Sequence, residues 1–265
     1  MTFDINKAKK LEEGLKDKAL KDVYGDLSPE FVHFLKNDVL NYCLQEYKTG
    51  IKAEHPVRIV NSWLAQDVIK IQSGDKGKIK RFNRLENIWL NIVFEARKFG
   101  IPISTLKETR KNLLESSIRD FSLFKLEVIK TLFSMPQIMY IPIEGQAKLY
   151  SFEAYKKWFS RGRFPVHAIF NLKDYISLEY PNNSLLTDFK IQNPLEDKNK
   201  MLLLYFLKTG DYQYLKFHLK EGDIRFIESS QSLLQNEEVM QSIINWNFQK
   251  VDIIINDELE TSIKL

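Results

Sequence analysis

The sequence predicts an α+β fold that is mostly helical, and two patterns support this class. Apolar residues recur at helical spacing through most of residues 28–134, where one short basic hairpin interrupts them. After Pro136, short alternating stretches mix with short helices. We therefore expect a helical N-terminal extension over 1–27, a mainly helical domain over 28–134 and a small α+β domain over 137–265.

Length and composition fit a globular protein with room for two domains. The chain has 265 residues, of which 44% are hydrophobic and 28% charged, and its formal net charge is +4. A net charge this small does not by itself indicate a nucleic-acid partner. Whether the protein binds nucleic acid must be judged from where the charges lie. Cys43 is the only cysteine, which excludes an internal disulfide and a cysteine-based zinc site.

The hydropathy of the chain predicts a soluble, cytoplasmic protein. The first 22 residues are charged throughout and lack the apolar centre of a signal peptide. No run approaches the ~18 apolar residues that a membrane-spanning helix needs.

Helix signals follow one another through the N-terminal half. Residues 5–22 form a candidate helix carrying Leu11, Leu15 and Leu20. Ser28 is a typical N-cap and Pro29 a typical first helical residue, and a wide apolar stripe predicts one helix from 29 to about 47. A short helix is predicted from 56 to about 66, and further helices at about 84–99, 103–117 and 121–134.

Between these helices the pattern predicts a basic hairpin. Residues 67–72 and 77–82 alternate apolar and polar around a turn that contains Gly74. Helix, basic hairpin and helix pair together are the layout of a winged helix-turn-helix, in which the hairpin is the wing.

Positive charge is concentrated in this hairpin. Residues 66–84 contain six basic and two acidic residues, a net charge of +4 that equals the charge of the whole chain. Lys76, Lys78 and Lys80 would share one face of a strand, which suits a phosphate backbone. The alternative is a solvated hairpin, because lysine also blunts exposed strand edges.

The helix before the hairpin divides into an apolar and a polar side. The predicted core side carries Val57, Ile59, Val60, Trp63 and Leu64. We predict that Arg58, Asn61 and Ser62 contact bases or a groove. The predicted phosphate contacts are Lys76, Lys78, Lys80, Arg81 and Arg84, whereas Trp63, Phe82 and Trp89 are predicted core.

Three stretches of this region resemble the N-terminal DNA-binding domain of MerR-type transcriptional regulators. They are Arg58-Ile59-Val60-Asn61-Ser62-Trp63 for the recognition helix, Lys80-Arg81-Phe82 for the end of the wing, and the sequence ARKFGIPISTL from Ala96 to Leu106 for the helix junction. The resemblance covers less than a third of the chain. It implies major-groove contact near Arg58 and phosphate contact by Lys78, Lys80 and Arg81.

The C-terminal part is predicted to mix hairpins and helices. Residues 137–151 favour a hairpin, 152–162 a helix, and 165–180 a strand that runs into a helix. Pro and Asn residues mark a linker at about 180–199. Residues 199–228 and 236–265 form a possible repeat, in which a helix precedes an aromatic-Gln pair, an alternating strand, a polar turn and a return strand.

No catalytic motif competes with the basic hairpin. The histidines His33, His55, His167 and His218 are scattered and lack metal-ligand spacing, so we expect no enzyme, metal or cofactor. Three hypotheses stay open: a DNA-binding regulator whose C-terminal domain dimerises or senses a partner, an architectural DNA-binding protein of replication, partition or excision, and a protein-interaction module with a degenerate winged helix. A homodimer on double-stranded DNA is expected for the first.

Overall fold

The fold is α+β and mostly helical, which confirms the predicted class. The structure is a computed structural model that describes residues 27–46, 49–50, 55–71, 80–118, 120–144, 146–162, 165–186, 189, 191, 194–220 and 222–265. Within these residues, no helix combines the length and the apolar character needed to cross a bilayer. The predicted helix over 5–22 lies outside the described residues.

The N-terminal half is a set of short and medium helices. Two π-helical turns, Tyr42–Glu46 and Lys111–Glu115, extend two of them. The α-helices are α1 (Pro29–Leu35), α2 (Asp38–Asn41), α3 (Val57–Ala65), α4 (Arg84–Lys98), α5 (Ile103–Arg110) and α6 (Leu123–Leu132). Ser28 caps α1 as predicted, since its side chain accepts a hydrogen bond from the Phe31 N–H.

The single helix predicted from 29 to about 47 is wrong, because the chain breaks at Lys36 and Asn37. The backbone of Asn37 is extended, and its side chain accepts a hydrogen bond from the Leu40 N–H, which begins α2. Asparagine competes with the backbone for hydrogen bonds and therefore starts a new helix more readily than it continues one.

The predicted first strand of the basic hairpin is also wrong over the described residues 67–71. Asp67 has a φ of 57°, and Val68 and Ile69 are both buried, so two successive side chains point inward where a strand would alternate them. The indole N–H of Trp89 donates to the Val68 carbonyl at 2.7 Å and holds this turn on α4. Residues 72–79, the rest of the predicted wing before Lys80, lie outside the described residues.

Two short antiparallel ladders stand in the N-terminal half. Strand β1 (Thr49–Gly50) pairs with β2 (Arg81–Phe82), and β3 (Ser117–Ile118) pairs with β4 (Phe121–Ser122). The strand that ends the predicted hairpin therefore exists, but over the described residues it pairs with the chain before α3.

A three-stranded sheet follows and agrees with the predicted element order. Its strands are β5 (Gln137–Pro142), β6 (Lys148–Ser151) and β7 (His167–Asn171), in the antiparallel order β6-β5-β7. Helix α7 (Phe152–Phe159) follows β6 directly, and α8 (Leu172–Glu179) follows β7 directly.

The last part of the chain forms a four-stranded antiparallel sheet of two hairpins, in the order β11-β10-β8-β9. This part begins with the four-residue helix α9 (Asn182–Leu185) and a 3₁₀ turn at Pro194–Glu196. The elements that follow are α10 (Lys198–Thr209), β8 (Tyr214–Lys220), β9 (Asp223–Ile227), α11 (Ser230–Leu234), α12 (Glu237–Ile244), β10 (Lys250–Ile254) and β11 (Glu260–Lys264).

A local two-fold pseudosymmetry relates the two hairpins. Leu215 pairs with Ile227, and Val251 pairs with Ile263, so both members shift by the same 36 residues (215 to 251, 227 to 263). The bonds that close the β8–β10 ladder are reciprocal as well. The Gln213 N–H donates to the Ile254 carbonyl, and the equivalent Gln249 N–H donates to the His218 carbonyl, each at 2.8 Å.

One hydrophobic core extends through both predicted domains. Helix α1 packs on α10, and α4 packs on α8, so helices from the two parts of the chain are neighbours. The predicted linker at about 180–199 takes part in this core. Four of its apolar residues are buried, namely Tyr180, Leu186, Phe189 and Ile191, whereas Leu185 is exposed.

Candidate nucleic-acid interface

Helix α3 is fixed to the core by two side chains on one stripe. Val60 is fully buried, and Trp63 is 6% exposed. The ring of Trp63 meets Phe94 of α4 edge to face, with centroids 4.6 Å apart, and His55 stacks on the same Phe94 at 4.0 Å. The i, i+3 spacing of Val60 and Trp63 orients the helix, so the remaining faces are turned to solvent.

The outward side of α3 carries the polar residues that the sequence singled out. Arg58, Asn61 and Ser62 are all exposed. Val57 and Ile59 are exposed as well, at 64% and 40%, so the prediction that they belong to the core side is wrong. The helix has nine residues, and its first turn extends past the edge of the core that Val60 and Trp63 reach.

The end of the predicted wing lies against this outward side. The Lys80 ammonium donates a hydrogen bond to the side-chain oxygen of Asn61. Strand β2 follows, with Arg81 exposed and Phe82 fully buried, so the alternation of the strand turns the guanidinium outward and fixes the aromatic ring inside. The structure thus brings Lys80 to the side of α3 that carries Asn61 and, at helical spacing, Arg58 and Ser62, and the exposed Arg81 follows on β2.

Ser62 has an internal partner on the same helix. The Gln66 side-chain amide donates to the Ser62 hydroxyl oxygen at 3.0 Å and to the Ser62 carbonyl at 3.2 Å. Gln66 therefore caps the end of α3 and orients the hydroxyl. Lys76 and Lys78, the other two predicted phosphate contacts of the wing, lie outside the described residues.

Arg84 lies in the interior, in contrast to its predicted phosphate contact. Its guanidinium donates to Glu179 Oε1 and to Asp211 Oδ1, each at 2.7 Å, and its side chain is 16% exposed. Burial by itself would lower the pKa of this guanidinium, but the two carboxylates raise it above its ordinary value. Because its charge is matched inside the protein, Arg84 is not available to contact a phosphate.

The partners of Arg84 form a polar cluster at the base of β2. Asp211 also accepts a hydrogen bond from the Tyr205 hydroxyl at 3.0 Å, and the Asn87 amide donates to Glu179. Burial raises the pKa of Asp211 to about 6, although Arg84 opposes that shift. The cluster connects the start of α4 to α8 and to the chain that enters β8, so it links the helix that follows β2 to the C-terminal part.

Sequence reasoning missed this cluster, although one weak signal was present. Glu179 follows the mostly apolar residues 175–178, where an acid that is buried needs a cation, whereas the polar neighbours of Asp211 give no such signal. A cavity of about 280 Å³ lies beside the cluster, lined by Cys43, Arg84, Gly210, Asp211, Tyr212, Gln213, Ile255 and Asn256.

A second ion-pair cluster holds the chain that leaves α3. Arg110 contacts both Glu86 and Glu115, and Lys70 bonds to Glu115 through its ammonium and to Glu86 through its backbone N–H. The Lys107 ammonium reaches Asp67 at 3.2 Å. The positive charge of Lys70 is therefore matched by Glu115. Among the basic residues predicted for the hairpin, it is thus not a candidate for a phosphate contact.

Comparisons with protein-family models, with curated proteins and with solved structures each gave no match. Among the described residues, no group of three or more His, Cys, Asp or Glu side chains is placed to hold a metal ion. The candidate interface therefore rests on its own geometry and charge.

Proposed function

We propose that this protein binds double-stranded DNA through the outward side of α3 and the adjoining residues of β2. The observation that carries the proposal is the orientation of α3. Val60 and Trp63 hold it on the core while Arg58, Asn61 and Ser62 face solvent, with Lys80 bonded to Asn61. A short helix held in this way can enter a major groove, where Arg and Asn pair with guanine and adenine edges.

The charge of the neighbouring residues supports the same surface. Lys80 bonds to α3 through Asn61, the exposed Arg81 follows it, and Lys76 and Lys78 add positive charge to the same stretch of sequence, which supports phosphate contacts by these residues. Phosphate contacts position a protein on the duplex without reading sequence, whereas the α3 side chains would read bases. This division of roles agrees with the resemblance to MerR-type regulators.

The finer proposal is a transcriptional regulator that binds as a homodimer. One helix of nine residues reads few base pairs, and two copies on a two-fold site give the specificity that one lacks. Dimerisation or partner sensing is assigned to the C-terminal part. Sedimentation of the full chain with and without bound duplex tests the dimer, and a 1:1 complex with a single half-site would contradict it.

The deciding experiment selects bound fragments from random duplex DNA with the full-length protein. A defined motif supports the regulator. Retention without a motif supports the architectural alternative in replication, partition or excision. Absence of enrichment at low ionic strength overturns DNA binding and leaves the interaction module. Arg58→Ala should relax the motif at one position, while Lys173→Ala, which removes an exposed lysine of α8, serves as the matched control.

A further inference from the structure

Helix α7 and strand β6 carry an unusual amount of exposed aromatic surface. All eight residues of α7, a helix that the structure describes throughout, remain partly accessible to solvent. Phe152, Trp158 and Phe159 are 49%, 54% and 58% exposed. Side chains of this size normally enter a core, and their clustering on one short helix indicates a surface that binds something.

The exposed rings continue into a row across the adjoining sheet. Trp158 lies 6.1 Å from Tyr150 of β6, and Tyr150 lies 6.4 Å from Tyr140 of β5, measured between ring centroids. His167 of β7 extends the row, at 4.5 Å from Tyr140. The planes of Trp158 and Tyr150 meet at 39° and those of Tyr150 and Tyr140 at 77°, and Trp158 is exposed while Tyr140 is buried, so Trp158 is the ring of this row that a ligand reaches first.

Positive charge surrounds these rings. Residues 146–162 contain four basic residues and one acidic residue, a net charge of +3. The Lys148 ammonium lies 5.7 Å from the Trp158 ring, and the Lys156 ammonium lies 5.4 Å from the Phe152 ring. Lys157, Trp158 and Arg161 line one open cavity of about 460 Å³ at the end of α7. The single acid, Glu153, is within 3.8 Å of Lys156.

We infer that this aromatic-basic surface, defined by Lys148, Phe152, Lys157, Trp158, Phe159 and Arg161, binds single-stranded nucleic acid. Exposed rings that alternate with cations match a strand whose bases are unstacked and whose phosphates are accessible. An apolar protein partner would not call for the four cations, and a duplex would not use the rings because its bases are already stacked. The surface lies on different elements from α3 and β2, so this inference is independent of duplex binding.

The test measures binding of the full-length protein to a labelled oligothymidylate of about 20 nucleotides, which exceeds the usual size of one single-strand site. Trp158→Ala should weaken this binding about tenfold, because stacking on one ring supplies that much. Trp158→Phe, which keeps a ring, should restore most of it. Phe226→Ala, at a ring of β9 that is 58% exposed, is the matched control and should leave the affinity unchanged.

Two further measurements separate the alternatives. The double variant Lys157→Gln and Arg161→Gln should lower the slope of log affinity against log salt by about 1.4. Tryptophan fluorescence should fall on binding, and Trp158→Phe should abolish most of that change, because Trp158 is the most exposed of the four tryptophans. The double variant Lys80→Ala and Arg81→Ala should lose duplex binding and keep oligothymidylate binding.

Three results would overturn the inference. The first is no oligothymidylate binding by the unaltered protein at low salt. The second is that Trp158→Ala binds oligothymidylate as tightly as the unaltered protein, while the double variant Lys80→Ala and Arg81→Ala no longer binds it. That result would assign the single-stranded nucleic acid to the α3–β2 surface. The third is a dimer that Trp158→Ala dissociates without any effect on nucleic acid, which would assign the surface to self-association.

Discussion

Lys80 donates a hydrogen bond to the side-chain oxygen of Asn61, across 19 residues of sequence. The bond fastens the end of the basic stretch to the outward side of α3. Two residues that were assigned different partners, a phosphate and a base, therefore belong to one surface. When Lys80 occupies the oxygen of Asn61, the amide nitrogen remains to donate, so the lysine also restricts what the asparagine can recognise.

Asn61→Asp should weaken duplex binding more than Asn61→Ala does. A carboxylate at this position would pair with Lys80, neutralise it and repel nearby phosphates, whereas alanine only removes a contact. We expect about a tenfold loss for Asn61→Asp beyond the alanine variant. Anisotropy titrations on one duplex at fixed salt measure the difference, and equal affinities of the two variants would contradict the shared surface.

Arg58→Ala and Arg81→Ala should impair DNA binding in different ways. Arg81 is proposed to contact a phosphate, so its loss should reduce the slope of log affinity against log salt by about 0.9 and weaken all sequences alike. Arg58 is proposed to read a base, so its loss should relax preference at one position of the site. Titrations of both variants on matched and mismatched duplexes separate the two roles. The same salt slope in both variants, with the same sequence preference, would remove the distinction.

Arg84→Ala should destabilise the fold by about 3 kcal/mol or more, because it leaves Glu179 and Asp211 buried without their cation. Urea unfolding measures the loss. Lys98→Ala is the control, since its ion pair with Glu95 is at the surface and contributes little. If Arg84→Ala instead kept its stability and lost only DNA affinity, the phosphate contact predicted from sequence would be the better description.

The sequence predicts correctly those elements whose determining residues are neighbours in the chain. Ser28 and Pro29 started a helix where their capping chemistry predicted, and the alternation around Leu215 and Val251 predicted strands that the sheet contains. Arg84 was misplaced because its partners are 95 and 127 residues away in the sequence. The prediction that Val57 and Ile59 are in the core is wrong because periodicity shows which side of a helix is apolar but not where the core beneath the helix ends.

Lys125 offers a test of the packing of α6 against α1 and α2. Its side chain is 1% exposed, and its ammonium donates to the Leu35 carbonyl at 2.6 Å and to the Asn41 side chain. It thereby joins the end of α1 to α2, at the break that the sequence did not predict. Burial lowers the pKa of Lys125 to about 8, from 10.5.

Between pH 8 and 10.5 the unfolded chain holds the proton of Lys125 more tightly than the folded protein does. The stability that this residue contributes is therefore fully present above pH 10.5 and is lost as the pH falls through 8. The free energy of unfolding, compared with that of Lys125→Met, should rise by up to roughly 3 kcal/mol across this window. Urea unfolding of both proteins at several pH values measures the difference. A difference that stays constant with pH would mean that the ammonium keeps its ordinary pKa in the folded protein.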